Sequence, residues 1–304
     1  MKSRIDKIRK YLAAENIDAA FFAILDVNNT LDMPNVRYLT GYSGTTGAAF
    51  ITKSSATFIS DFRYADQAKA QVKGCKILIT KKDPISSLEE VKEAQVKNLR
   101  LAIEAGRLTI TQKAAIQKKL PNAILIETTD LVENFGLIKE GSEIANIKAA
   151  AKIADDAFER ILGYMRPGIS EKDVAAELEY QMKMLGSAKE AFETIVASGY
   201  RSAMPHGVAS DKMLKKGDFV TLDFGATVNG YCCDITRTVV LGRATSRQKK
   251  IYDIVLKAQL AAIRKVKAGA ICRDVDAGAR DLIKKAGYAK NFGHGTGHGI
   301  GLQI

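Results

Sequence analysis

The four cysteines, Cys75, Cys232, Cys233 and Cys272, form no CxxC pair and no framework spacing. That excludes a zinc knuckle and a disulfide scaffold and leaves reduced thiols. Cys232 and Cys233, being adjacent, point to opposite faces if they lie on a strand, which is packing rather than redox chemistry. Long apolar runs are missing too. Asp18 to Leu25 and Gly47 to Ile51 fall far short of the ~20 residues a membrane helix needs. No apolar signal-peptide core follows the charged stretch MKSRIDKIRKYLAAENIDAA, so a cytoplasmic location without membrane contact is expected. A basic tail is also absent. The net charge is +12, yet Lys and Arg exceed Asp and Glu by only 20 to 15 up to Phe135 and by 26 to 19 from Gly136 onward. The pairs Lys118-Lys119, Lys215-Lys216, Lys249-Lys250 and Lys284-Lys285 adjoin apolar residues at helical or turn positions. They read as solvated faces, and no nucleic-acid partner is expected.

A chain of 304 residues with 46% hydrophobic content can bury two cores. Ile5, Ile8 and Leu12 recur at the spacing of an amphipathic helix over residues 3 to 16. Short strands AAFFAIL, GAAFIT and ATFIS follow, then helical stretches near 62 to 73 and 86 to 98. Lys76 to Thr80 and Ala123 to Glu127 add strands, and the helix TQKAAIQKKL between them stops before Pro121. This alternation predicts an α/β domain over residues 1–132. At Ser142 the texture changes to a capped, Ala-rich helix, SEIANIKAAAKIADDAFERILGYM. A second helix runs from Ser170 to Leu185, where Glu171 and Asp173 suit a helix N-terminus. Further helices are expected near 246 to 267 and 274 to 286. With the strand-like segments AFETIVAS, DFVTLDFGATV and GYCCDITRTVVL, residues 140–304 form an α+β domain, an antiparallel sheet flanked by helices.

Asn229-Gly230 between β-branched, apolar segments signals a two-residue hairpin, because a type I′ turn needs positive φ at both positions. Pairing Val228 with Tyr231 sets Gly225 opposite Asp234, with Asp223 on the same face two residues away. As diagonal neighbours the two carboxylates have Cβ atoms roughly 7 Å apart, within reach of two ions ~3.5–4 Å apart. Gly225 would leave the space between them open. Two buried aspartates side by side repel unless a cation or proton neutralises them. One alternative keeps the hairpin purely structural, with one Asp capping a turn and the other paired with Arg237 or Arg201.

In NFGHGTGHGIGLQI the glycines alternate strictly, so no GxGxxG phosphate loop can be drawn. His294 and His298 are four apart as in a helical zinc motif, but each interior Gly costs a helix about 1 kcal/mol. A strand is expected instead, with both histidines on one face. The third histidine of the chain, His206, lies in the turn-like SAMPHG.

The order PHG, LDFG with Asp223, GYCCDITRT with Asp234 and GHGIG with His298 resembles the pita-bread metallopeptidases, and among them the Xaa-Pro peptidases (aminopeptidase P and prolidase). NVRYLTGYSGTTGAAFIT and ISDFRYADQA resemble the creatinase-type N-terminal domain that accompanies them. The resemblance implies that Asp223, Asp234 and His298 bind two divalent ions, most often Mn2+ and sometimes Co2+ or Zn2+, with Asp234 bridging. It implies that His206 and His294 contact substrate, a proline-containing peptide or dipeptide, and that a water bridging the ions attacks the bond before proline. A homodimer is also implied. In the family a His-Glu pair and a further Glu follow GHGIGLxx, so the pita-bread domain is expected to be incomplete at its C-terminus and the 304-residue form to lack a full site. The competing expectation is a catalytically inactive pita-bread module that binds protein or RNA.

Overall fold

A computed structural model of the chain describes residues 1–25 and 34–304. They divide into two compact units, Met1–Lys139 and Glu140–Ile304.

The first unit runs α1 (Lys2–Ala14), β1 (Ala19–Ile24), α2 (Pro34–Thr40), β2 (Gly47–Thr52), β3 (Ala56–Asp61), α3 (Ala65–Gln71), β4 (Lys76–Thr80), β5 (Arg100–Glu104), α4 (Ile110–Lys119), β6 (Ile124–Thr128) and α5 (Leu131–Gly136). Its six-stranded sheet has the order β4-β3-β2-β1-β5-β6. The hairpin strands β1, β2 and β3 pair antiparallel, whereas β3–β4, β1–β5 and β5–β6 are parallel. Every residue of the central β1 is buried, which is why AAFFAI reads as an unbroken apolar run rather than an alternating one. Ile5, Ile8 and Leu12 of α1 are buried as their spacing demands. Residues 86–98, expected as a helix, form two 3₁₀ turns, Ser86–Glu90 and Lys92–Ala94. The reason lies in the period of the buried positions: Ile85, Leu88, Val91 and Ala94 recur every three residues, the repeat of a 3₁₀ helix.

The second unit runs α6 (Gly141–Tyr164), α7 (Glu171–Met184), β7 (Ile195–Ser198), β8 (Phe219–Phe224), β9 (Thr227–Val228), β10 (Tyr231–Cys232), β11 (Ile235–Val240), α8 (Ser246–Lys265) and α9 (Cys272–Lys285). The α6 helix begins not at Ser142 but one residue earlier, with the Glu140 N–H donating to Glu143 Oε2 at 2.8 Å. Ser170, expected as the first residue of α7, is instead its N-cap, its Oγ accepting from the Asp173 N–H at 3.0 Å. Ala150, Ala154, Ala157 and Ile161 form one stripe of α6 and pack with Val174, Leu178 and Met182 of α7 on Val220, Leu222 and Phe224 of β8. Small residues on the stripe let α6 lie close to the sheet. The sheet order is β11-β8-β7, antiparallel throughout. Helices α8 and α9 pack on each other through Ala258, Ala262, Ala279 and Ile283.

Candidate functional site

Strand β8 alternates. Val220, Leu222 and Phe224 are buried toward α6 and α7, so Thr221 and Asp223 must stand on the opposite face. The hairpin register is the expected one, Tyr231 opposite Val228 and Ile235 opposite Phe224. Asn229 and Gly230 have φ of 49° and 81° as a type I′ turn requires. Between the two ladders lie Gly225 and Asp234, and there Gly225 does not act as expected. A Cβ on Gly225 would lie 2.0 Å from the Cys233 carbonyl oxygen and 2.9 Å from Ala191 Cβ. It is a point of close backbone approach rather than an open space, and the strand it lets approach carries Asp234 next to Cys233. Thr236, directly opposite Asp223, donates its hydroxyl to Asp223 Oδ1 at 2.8 Å.

The segment holding His294 and His298 reaches this hairpin through the Cys232 N–H, which donates to the Gly301 carbonyl at 2.8 Å. His298 Nε2 then lies 3.3 Å from Asp234 Oδ2. The segment is not the expected strand. Its backbone groups are taken by α9 side chains: Arg280 donates to the Phe292 and His294 carbonyls at 2.8 and 2.9 Å, and Asp276 Oδ1 accepts the Thr296 N–H at 3.0 Å and its hydroxyl at 2.6 Å. A backbone so occupied cannot pair in a ladder. Arg280 and Thr296 hold the Asp276 carboxyl well below the usual carboxylate range. The two histidines also part company. His298 faces Asp234, whereas the His294 ring meets His206 edge to face, with centroids 5.8 Å apart. All three histidines are therefore engaged, but in two pairings rather than on one strand face.

Neither of the arginines that could have neutralised the hairpin carboxylates does so. Arg237 bonds Asp155 at 3.0 Å and Arg201 bonds Glu171 at 2.9 Å. Burial, and then the nearby Asp223 charge, raise the Asp234 carboxyl above its ordinary value, with His298 acting in the opposite sense. In chemistry the donor set fits a divalent cation. A carbonyl can only accept, so the 3.0 Å contact of His298 Nδ1 with the Gly299 carbonyl puts a proton on Nδ1, and in the neutral ring Nε2, on the Asp234 side, is the nitrogen that could ligate an ion. In arrangement Asp223, Asp234 and His298 do not make a finished ligand set. Among the described residues no group of three or more His, Cys, Asp and Glu is disposed to hold an ion.

The residues that sequence reasoning missed are those holding the loops, Asp276, Arg280 and Thr296 on one side and Glu171 on the other. Asp276 and Arg280 are four apart on a helix, which reads as a solvated ion pair. Glu171 read as a helix-dipole residue, yet it is fully buried.

Residues 145–304 match metallopeptidase family M24, more than half of the chain. The chain belongs to that family. Residues 4–137 match the creatinase/prolidase N-terminal domain. Among curated relatives, an uncharacterised peptidase, YqhT, of Bacillus subtilis is 43% identical over 99% of this chain and 83% of its own length. An Xaa-Pro dipeptidase of Pyrococcus furiosus is 37% identical over 100% of this chain and 83% of its own. The solved Xaa-Pro dipeptidase from Bacillus anthracis superposes with a TM-score of 0.91 at 44% identity, covering 99% of this chain and 82% of that one. An X-Pro aminopeptidase from Thermotoga maritima gives 0.88 at 36% identity, covering 95% and 81%. The M24 chain thus has the pita-bread prolidase fold behind a creatinase-type N-terminal domain and is by family a hydrolase of peptides. No helix among the described residues is long and apolar enough to cross a membrane.

Proposed function

We propose that this chain hydrolyses the peptide bond before proline in dipeptides or at the N-terminus of short peptides, in the cytoplasm and as a homodimer. Asp223, Asp234 and His298 hold divalent ions, and His206 and His294 face the substrate. The observation that carries this reading is the 3.3 Å approach of His298 Nε2 to Asp234 Oδ2, with Asp223 near enough to raise the Asp234 carboxyl and neither carboxylate neutralised by Arg237 or Arg201. Two carboxylates and a single imidazole favour Mn2+ on ligand hardness, with Co2+ or Zn2+ as substitutes. Bound ions would supply Lewis acidity for the scissile carbonyl and a more acidic attacking water. The protein's part is positional. His294 donates its Nδ1 proton to the Gly295 carbonyl at 3.0 Å, which leaves Nε2 to meet substrate beside the His206 ring. Two imidazoles on one side of the peptide can share a proton with its carbonyl as charge develops there. Thr236 orients Asp223 through the 2.8 Å bond to Oδ1, fixing one carboxylate lobe.

Three protein ligands do not fill two coordination shells, so ions held by these residues alone would bind weakly. The test is Mn2+-dependent hydrolysis of an Xaa-Pro dipeptide and an Xaa-Pro-Xaa tripeptide. It compares this chain with a chimera that adds the residues of the Pyrococcus furiosus relative outside the aligned span, with Asp234→Ala as control. Weak turnover in the chain, strong turnover in the chimera and none in either Asp234→Ala form supports the reading. Full turnover in the 304-residue chain would overturn the ligand count, and silence in both would favour a binding module.

A further inference from the structure

The loop between β7 and β8 carries His206 and has little regular structure of its own beyond a 3₁₀ turn at Gly199–Ala203. Its two ends converge on one side chain, the fully buried Glu171 at the start of α7. Glu171 Oε1 accepts the Ser198 N–H at 2.7 Å and the Ser198 hydroxyl at 2.8 Å, where the loop leaves β7. Oε2 accepts the Ser210 N–H at 3.2 Å and its hydroxyl at 2.6 Å, where the loop returns. From within the loop, Arg201 donates Nε to Oε2 at 2.9 Å and Nη2 to the Val208 carbonyl at 2.6 Å, bracketing His206 on both sides. Main-chain bonds seal the base: the Glu171 N–H to the Lys212 carbonyl at 3.0 Å and the Lys172 N–H to the Ser210 carbonyl at 3.1 Å. Lys212 Nζ adds Ser198 Oγ at 2.7 Å and Asp218 Oδ2 at 2.9 Å.

A carboxylate accepts on both oxygens and donates from neither, which is what five converging donors require. Burial works to raise the Glu171 carboxyl, but the Ser210 and Ser198 bonds outweigh it and hold it below the ordinary value, so it stays ionised. We propose that Glu171 is the positioning residue for His206, closing the 199–209 loop so that the imidazole stays against His294. The proposal rests on the peptidase reading for its catalytic meaning, but its geometry can be tested without turnover.

Glu171→Gln keeps the shape and breaks the pattern. Whichever way the amide turns, its NH2 confronts either the two donors at Oε1 or the three at Oε2, and one leg of the loop must let go. The chain has three histidines, so the ring-proton NMR spectrum of the full-length protein is small enough to assign by single His→Gln substitutions. In folded Glu171→Gln, the His206 and His294 signals should lose the shift each ring imposes on the other, while the His298 signals hold. Where the chimera turns over Xaa-Pro peptides, kcat should fall by about 10²-fold, the cost of a misplaced group, with Mn2+ affinity unchanged. Should Glu171→Gln fail to fold, Ser210→Ala, which removes the 2.6 Å hydroxyl bond to Glu171 and the 3.2 Å bond the hydroxyl accepts from the Lys212 N–H, decides by the same spectrum. A lower melting temperature with all three histidine signals unmoved would reduce Glu171 to a structural carboxylate and overturn the proposal. So would an equal disturbance of all three. Absence of turnover in the unsubstituted chimera would sink the peptidase reading alone, because the ring shifts report on the loop either way.

Discussion

Glu104 closes β5 with 7% of its surface exposed, accepts from Asn35 Nδ2 and lies near Glu133. Burial pushes its carboxyl up to about 7, with the Glu133 charge adding to the effect and Asn35 and Arg107 opposing it. Glu133 moves the other way: burial would raise it, but the Arg107 and Asn35 bonds prevail. The two therefore act in different pH windows. A raised folded-state pKa means that the Glu104 contribution is fully present below about 4.5 and lost as pH rises through about 7. The Glu133 contribution is lost only in acid. Urea unfolding should thus show the first unit losing stability from pH 5 to pH 8, on the order of 3 kcal/mol at 1.36 kcal/mol per pKa unit. Glu104→Gln should flatten that slope. An equal slope in the variant would place the titrating group elsewhere.

The hairpin from β8 to β11 depends on one missing side chain. With a Cβ on Gly225 placed 2.0 Å from backbone oxygen, Gly225→Ala cannot be relieved by a rotamer change. The strands must separate, at a cost of about 3 kcal/mol or more. Asp234 would move with them. The expected result is a lower urea midpoint together with loss of Mn2+ binding by calorimetry. Retained binding in a folded Gly225→Ala protein would show that this close approach does not set the carboxylate geometry. Ser170→Ala is a milder counterpart on α7: it removes an N-cap and a hydroxyl partner of Asp173 and should cost ~1 kcal/mol in the same assay.

At the scale of the molecule, each unit has its own buried core, so ligand binding to one need not be felt in the other. Mn2+ at 100 times its dissociation constant stabilises the state that binds it by about 2.7 kcal/mol. Hydrogen exchange should then slow in β8 to β11 and in residues 292–301, stay unchanged in the strands β1 to β6, and show no response in Asp234→Ala. Protection spreading evenly through both units would mean that they unfold as one body.

Local pattern determined much of this by itself. The stripe of α6, the Ser170 cap, the Asn229-Gly230 turn and hence the register that puts Asp223 and Asp234 side by side all depend on neighbours within a few residues, and such neighbours are visible in the chain. Helix α2 and strand β5 were not legible, since short apolar runs look alike until a sheet claims them. Nor was the course of residues 292–301. Alternating glycines permit many conformations, and Asp276 and Arg280, distant in sequence, choose among them by taking the backbone groups a strand would use. The meaning of Glu171 was hidden for the same reason. A buried carboxylate is identified by the donors that converge on it, and Ser198, Arg201 and Ser210 come from parts of the chain that only the tertiary structure brings together.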